Sequence, residues 1–213
     1  ACAIDAPNEF VEVNGRRLAY RSIGQGQPIV LCTRFRGTMD VWDPAFLDAL
    51  AVQGLRAITF DYSGLGLSTG ERSFDLQSME RDARDLIAAL ELRDVVIAGW
   101  SLGGLVAQIL AVAHPQRLSH VVLIGTSPPG PNVKPAEQLF YDTAVIPDYG
   151  MREEEILFFE PRSAASRAAA QRSVERIAQR VQGRSVPVPV DWAAANLGDK
   201  PRSPLFPGDA VLQ

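Results

Sequence analysis

Two spacings of apolar residues alternate along the first 127 residues of the chain. Short runs rich in Val, Ile and Leu, such as residues 28–32 and 94–98, predict buried strands. Between such runs, apolar side chains recur every three or four positions, as over residues 76–90, which predicts amphipathic helices. Near the start, two alternating runs flank Asn14-Gly15, a strong β-hairpin signal. The chain is therefore predicted to have an α/β fold with a doubly wound, mostly parallel sheet containing strands 1–6.

The pattern changes at about residue 127, where Ser, Pro and Gly cluster. From there to about residue 201 the apolar spacing is mostly helical. The β-like run at 186–190 contains two prolines, which disfavour a strand. These features predict an α/β core over residues 1–127 and a mostly helical cap over 128–201, inserted after the sixth strand. Residues 202–213 are predicted to return towards a seventh strand.

Composition narrows the classes of protein and of partner. A chain of 213 residues with 46% hydrophobic and 22% charged residues suits one globular domain with an inserted cap. The net charge of −4 favours neither nucleic acid nor an anionic membrane as a partner. With neither an 18-residue apolar run nor a signal-peptide pattern, we predict a cytoplasmic protein. The two cysteines form no metal-binding motif, so neither a metal nor a cofactor is expected.

A motif with direct chemical meaning follows the strand predicted at 94–98. Residues 99–103 read Gly-Trp-Ser-Leu-Gly, and an apolar helical pattern begins immediately afterwards. The pattern G-x-S-x-G between a strand and a helix is typical of a sharp turn that exposes a nucleophilic serine. Ser101 is therefore the predicted catalytic residue.

A serine nucleophile needs a proton acceptor, and the chain offers two histidines. His114 lies thirteen residues along the same helix, roughly 20 Å from Ser101 at 1.5 Å per residue. His120 precedes the sixth predicted strand, whereas sites in parallel sheets lie at the carboxyl ends of strands. Neither histidine is predicted to be the base, so the base is expected from sequence outside this chain.

The chain resembles the α/β-hydrolase superfamily over essentially its whole length. Besides the serine motif, residues 61–68 resemble the family's D-x-R-G-x-G-x-S loop, with Ser63 in place of Arg. Residues 113–117 and 121–125 resemble the family's passage from helix to strand. The segment 99–107 is similar to the pimeloyl-carrier-protein methyl ester esterases, and also to many esterases and cofactor-free haloperoxidases.

The resemblance implies a triad in the order Ser, Asp, His, with the acid after the seventh strand and the histidine after the eighth. We therefore expect a C-terminal fragment or a second chain to complete the sheet and to supply both residues. Asp61, after the fourth strand, is expected to hold its own loop rather than to act in catalysis.

An oxyanion hole is also implied by the resemblance. Residues 33–38 align with the family's H-G-x-P-G-S loop, which assigns the backbone N–H groups of Phe35 and Leu102 as donors. Arg34 and Trp100 are candidate substrate-binding residues. Arg34 and Arg36 would either bind a substrate carboxylate or pair with a nearby Asp.

A further basic feature lies in the predicted cap. Arg172, Arg176 and Arg180 recur every four residues along the helix predicted at about 163–182. This stripe is interpreted as a solvated face or, alternatively, as a docking surface for an acidic carrier protein or an anionic substrate.

The leading hypothesis is a serine hydrolase that cleaves a carboxylic ester or related acyl bond of a small molecule, with Ser101 as nucleophile. Two alternatives remain. One is a non-catalytic, hydrolase-like binding or receptor protein, which the lack of a usable histidine favours. The other is a cofactor-free perhydrolase or haloperoxidase-like enzyme, which uses the same triad.

Overall fold

A computed structural model describes residues 2–128, 134 and 136–197 of the chain. The strands are β1 Glu9–Val13, β2 Arg16–Ile23, β3 Gln27–Cys32, β4 Leu55–Phe60, β5 Val95–Trp100 and β6 Leu118–Ile124. The α-helices are α1 Pro44–Val52, α2 Leu76–Ala89, α3 Leu102–Ala113, α4 Gln138–Ala144, α5 Met151–Phe158, α6 Ala164–Ala178 and α7 Val190–Leu197. The predicted return segment, 202–213, lies outside the described residues.

The strands form one mixed, mostly parallel sheet with the order β1-β2-β4-β3-β5-β6. The β1–β2 hairpin pairs antiparallel with β4, while β3, β4, β5 and β6 run parallel to one another. This confirms the predicted α/β fold. The chain moves from β3 to β4 on one side and then returns to β5 on the other, which opens a crevice at the carboxyl ends of β3 and β5.

The core lies on both faces of this sheet, as the two-residue period of a strand requires. On β3, Val30 and Cys32 face the cluster that includes side chains of α2 and α3, and Ile29 and Leu31 face the cluster that includes Trp42 and α1. Because both faces are covered, the central strands read as continuous apolar runs.

Strand pairing extends two elements beyond their predicted limits. β5 continues to Trp100 and β6 begins at Leu118, because the ladder between them runs from Val95–Leu118 to Trp100–Ile124. The polar Ser119 and His120 are thus part of a strand that apolar content alone did not indicate. None of the described helices is both long and apolar enough to cross a bilayer.

Helices α4–α7 follow β6 and contact the core through arginines. Arg176 on α6 forms a bidentate ion pair with Asp43, the N-cap residue of α1. Arg180 donates to the backbone oxygens of Ile4 and Ala6. The helix predicted to about residue 182 ends at Ala178, so Arg180 lies just beyond it. The predicted basic stripe is therefore not simply a solvated face, since Arg176 and Arg180 both fasten this segment to the core.

At one edge of the sheet, β6 carries apolar side chains that the described residues leave exposed. Val121, Val122 and Leu123 are 42%, 40% and 47% exposed. In the part of the chain that the structure describes, β6 pairs with β5 alone. An apolar edge strand of this kind offers backbone groups for pairing with another strand.

Candidate active site

Ser101 occupies the turn between β5 and α3 in a conformation that few residues adopt. Its backbone angles are φ 54° and ψ −116°, and holding a non-glycine residue in such a region costs about 1–3 kcal/mol. The turn is held by neighbouring groups: Ser101 N–H donates to the Ile124 oxygen at 2.9 Å, and the Thr126 hydroxyl donates to the Ser101 oxygen at 2.7 Å. The surrounding structure therefore enforces the strained position.

Two glycines allow the chain to turn this tightly. A Cβ on Gly99 would lie 2.1 Å from the Gly103 oxygen, and one on Gly103 would lie 2.0 Å from the Cys32 oxygen. The first turn of α3 thus approaches both its own strand and β3 more closely than any side chain permits. The glycines of the motif are required by packing as well as by turn geometry.

The Ser101 side chain is half-buried on the wall of a cavity of about 190 Å³. Phe35, Trp100, Tyr149 and Phe158 also line this cavity. Within the described residues the Ser101 hydroxyl has no hydrogen-bond partner, so it is free to meet a ligand in the cavity.

The two predicted oxyanion donors follow neighbouring strands. Phe35 lies three residues after β3, and Leu102 is the first residue of α3 after β5. Cys32 pairs with Gly99 in the sheet, which brings the ends of these strands side by side. The N–H of Leu102 belongs to the first turn of a helix, where backbone donors have no partner within the helix. Both residues thus lie at the correct edge of the sheet.

Arg34 is buried beside the nucleophile. Its guanidinium carbon lies 4.3 Å from the ring centre of Phe158 and 5.3 Å from that of Trp100, in cation–π geometry. Nη1 donates to the Phe35 oxygen at 2.8 Å, whereas Nε is buried without a partner. The alternative in which Arg34 pairs with an Asp is not seen among the described residues.

Arg36 points instead into the segment that follows α4. Its guanidinium donates to the backbone oxygens of Ala144, Ile146 and Pro147, and it lies 4.3 Å from the ring centre of Tyr149. These contacts use the cation to dock the helical segment on the loop after β3. Arg36 thus has a structural role. Its hydrogen bonds go to backbone oxygens, and among the described residues it neither pairs with an Asp nor lines the cavity.

Burial affects the charged groups around the cavity. It lowers the pKa of Arg34 to about 10, an effect partly opposed by the negative charge of Glu154. Burial also raises the pKa of Glu154, and Arg34 opposes that shift. The two groups therefore sense each other's charge, but they form no contact ion pair.

Both histidines lie away from Ser101. His114 caps the far end of the helix α3, thirteen residues or roughly 20 Å along its axis from Ser101, with Nε2 3.5 Å from the Glu80 carboxylate. His120 pairs with Val96 on the exposed edge strand, four positions from the end where Ser101 lies, or roughly 13 Å. Neither can take a proton from Ser101 in this arrangement.

Asp61 lies after β4, where the family-like loop was predicted. Its carboxylate accepts from the N–H groups of Met39 and Leu67 and from the Ser185 hydroxyl, at 2.7 to 2.9 Å. Burial raises its pKa, and these donors oppose that effect. With all its contacts to loop backbone and to the segment before α7, Asp61 holds its own loop, as expected.

Sequence patterns alone did not single out two residues of the cavity region, Tyr149 and Glu154. Tyr149 lines the cavity, and the Glu154 charge acts on Arg34. Both belong to the helical segment around α5, whose spacing predicts helices but not which face meets the core. The Gly150 N-cap, with Glu153 accepting from its N–H at 2.8 Å, was the available signal for where this helix begins.

Comparison with known proteins agrees with the fold. A family model described as alpha/beta hydrolase fold matches residues 27–198. A solved alpha/beta hydrolase fold protein from Chitinophaga pinensis superposes with a TM-score of 0.79 at 29% identity, over 92% of this chain and 70% of that one.

Two curated relatives differ in their named activities. The putative non-heme bromoperoxidase BpoC of Mycobacterium tuberculosis is 35% identical over 109 residues, which are 51% of this chain and 42% of that protein. A pimeloyl-[acyl-carrier protein] methyl ester esterase of Vibrio parahaemolyticus is 28% identical over 182 residues, 81% of this chain and 66% of that protein. The chain thus matches less than half of the first relative's length and about two thirds of the second's.

Proposed function

Because this chain belongs to the α/β-hydrolase fold family, we propose that it hydrolyses a carboxylic ester or related acyl bond with Ser101 as the nucleophile. The observation that supports the proposal is the serine held at φ 54° between β5 and α3, with its hydroxyl on the wall of a cavity. A turn that holds a serine in a strained conformation and exposes its hydroxyl suits nucleophilic catalysis.

In the proposed reaction, the Ser101 oxygen attacks the substrate carbonyl carbon and the carbonyl oxygen becomes an oxyanion. The backbone N–H groups of Phe35 and Leu102 would stabilise this oxyanion, and the helix dipole of α3 would add to the effect. One such donor is typically worth about 3–4 kcal/mol of the barrier. Trp100 and Phe158 would form the apolar wall against which the substrate lies.

The proton acceptor is proposed to come from outside the 213 residues. Ser101 needs a histidine, and both histidines of the chain lie far from it. We further propose that the polypeptide carrying this histidine and its acid, either a C-terminal segment or a second chain, pairs with the exposed edge of β6. The apolar side chains of Val121, Val122 and Leu123 support this placement.

The test is covalent labelling of the protein as its natural gene encodes it, using a fluorophosphonate. Labelling is expected at Ser101 and is expected to disappear in Ser101→Ala, with ester hydrolysis falling at least about 10³-fold. Ser119→Ala, a change at an exposed serine on β6, serves as the matched control and should label normally. Hydrolysis that survives Ser101→Ala would exclude the proposal.

Two other functions give different outcomes in the same assay series. The name of one relative, a putative non-heme bromoperoxidase, favours the perhydrolase or haloperoxidase-like alternative. Formation of peracetic acid from acetate and hydrogen peroxide would reveal that activity. A binding or receptor role predicts ligand-dependent stabilisation with neither labelling nor product. The cytoplasmic location remains a prediction from the sequence.

A further inference from the structure

We infer that Arg34 is a specificity residue that binds a carboxylate of the substrate, so that the ester cleaved at Ser101 carries a negative charge at its other end. This inference rests on the proposed function, because it places the charged end of the substrate in the same cavity.

Arg16 and Arg21, whose side chains are also largely buried, have carboxylate partners. Arg180 has none among the described residues, but its guanidinium donates to two backbone oxygens of the N-terminal segment, away from the cavity. Arg21 pairs with Asp40 at 2.7 Å, and Arg16 pairs with Asp82 at 2.7 Å and with Asp85 at 2.9 Å. Arg34 is only 8% exposed, yet among the described residues it has no ion pair. A buried charge without a counter-ion is costly, so a cation retained beside a nucleophile indicates a ligand that supplies the missing charge.

The unpaired edge of Arg34 has the geometry that recognises a carboxylate. A guanidinium binds a carboxylate with two parallel N–H groups, and Arg176 does so with Nε and Nη2 against Asp43. In Arg34, Nη1 donates to the Phe35 oxygen, while Nε, one of the two donors that Arg176 uses, is buried without a partner among the described residues. The side chain is thus oriented by one contact and keeps Nε for another.

The aromatic rings around Arg34 hold the guanidinium in place and exclude water. Phe158 and Trp100 lie on it at 4.3 and 5.3 Å, and both also line the cavity. In such surroundings a charged hydrogen bond is stronger than in water. With a pKa of about 10, lowered by burial, Arg34 keeps its positive charge at neutral pH.

The charges of Glu154 and Arg36 also act on Arg34, and they predict how a Glu154 variant should change anion binding. Glu154 attracts it without contact, and Arg36 repels it while bound to backbone oxygens of the neighbouring segment. The negative charge of Glu154 thus partly balances the positive charge of Arg34 and would repel an incoming anion. Removing the Glu154 charge should strengthen anion binding, which is the opposite of what a structural Arg34–Glu154 pair predicts.

The size of the cavity limits the substrate. Ser101 and Arg34 line one space of about 190 Å³, smaller than the roughly 300–1,000 Å³ typical of pockets for drug-sized ligands. The ester carbonyl and the carboxylate must therefore belong to one small molecule. The substrate class is a half-ester of a short dicarboxylic acid.

The experiment measures binding separately from turnover. Monomethyl glutarate and the neutral dimethyl glutarate are titrated by calorimetry into the natural full-length protein carrying Ser101→Ala. The half-ester should bind at least about tenfold more tightly. Arg34→Met should abolish this preference, Arg34→Lys should restore it in part, and Glu154→Gln should increase it.

Equal affinity for the two esters, or a preference that survives Arg34→Met, would overturn the inference. So would weaker binding of the half-ester in Glu154→Gln. Failure of the proposed function gives a separate result, namely that the fluorophosphonate does not label Ser101 in the otherwise unmodified protein. The inference about Arg34 and the assignment of Ser101 are therefore tested by distinguishable outcomes.

Discussion

At the scale of a single residue, Ser101 combines a strained backbone conformation with a position on the wall of the cavity. Its φ of 54° belongs to a region that glycine occupies freely and other residues avoid. Hydrogen bonds to Ile124 and from Thr126 keep the turn in place. The strain is the physical reason that the hydroxyl faces the cavity instead of packing along α3.

Relief of this strain is measurable. Ser101→Gly should raise the free energy of unfolding by about 1 kcal/mol relative to Ser101→Ala, because glycine tolerates the positive φ and alanine does not. Both variants lack the hydroxyl, so Ser101→Ala is the matched control in urea denaturation. Equal stability of the two variants would show that the turn is unstrained.

At the scale of elements, the contact between α3 and β3 positions the nucleophile. Gly103 lies against the Cys32 and Thr33 backbone, so the helix N-terminus rests directly on the end of β3. This contact sets the distance between the Ser101 turn and the loop that carries Phe35. Helix propensity has no part in it, since alanine is the better helix former.

Gly103→Ala tests that contact. Alanine should favour the helix by about 1 kcal/mol, but its Cβ would lie 2.0 Å from the Cys32 oxygen. The expected result is lower stability and at least about tenfold slower labelling of Ser101, because α3 must shift. Gly54→Ala, where φ is +79° and the space is open, should lose stability without slowing the labelling.

The ion pair between Asp43, the N-cap residue of α1, and Arg176 on α6 should stabilise the fold more at neutral pH than at acidic pH. Burial raises the pKa of Asp43, but hydrogen bonds from Arg176, the Ala45 N–H and Ser173 outweigh it, and the net pKa is lowered. A carboxyl whose pKa is lower in the folded state adds stability above its unfolded value of about 3.9. That contribution is lost as the pH falls through the folded-state pKa.

Arg176→Gln should therefore lower the free energy of unfolding at pH 7 by up to about 1 kcal/mol, a value limited by partial exposure of the pair. The difference from the unmodified protein should shrink as the pH falls towards 3. Urea titrations at both pH values measure it. Arg172→Gln, at an exposed position of the same helix, should change stability at neither pH.

At the scale of the whole molecule, the sheet ends on one side in β6, an edge strand of apolar character that the described residues leave uncovered. The central strands are buried on both faces, while β6 leaves three consecutive apolar side chains exposed within the described chain. Such an edge favours association through strand pairing. The arrangement supports the proposal that a further segment pairs with β6.

The 213-residue chain expressed alone is expected to self-associate in sedimentation velocity. Val122→Lys on β6 should reduce this association, because a charged residue on an edge strand disfavours pairing. Val52→Lys, at an exposed position that ends α1, is the control and should leave it unchanged. If the unmodified chain sediments as a monomer, the proposal that β6 is a pairing edge is contradicted.

The sequence by itself determined the class of fold, most of the strands and the position of the turn at Ser101, for which we propose a nucleophilic role. These depend on local rules: apolar runs for buried strands, helical spacing for α2 and α3, and a glycine-serine-glycine turn between a strand and a helix. It also indicated that neither histidine suits Ser101, since spacing along one helix or strand translates directly into distance.

Only the tertiary structure decided the roles of the arginines. Sequence patterns grouped Arg34 with Arg36, and Arg176 with Arg180 and Arg172, because patterns record charge and spacing but not the partner that each guanidinium meets. In the fold, Arg36 and Arg176 fasten helices to the core, while Arg34 is buried at the cavity of Ser101 with no carboxylate partner among the described residues. Those partners are distant in sequence, and packing alone brings them together.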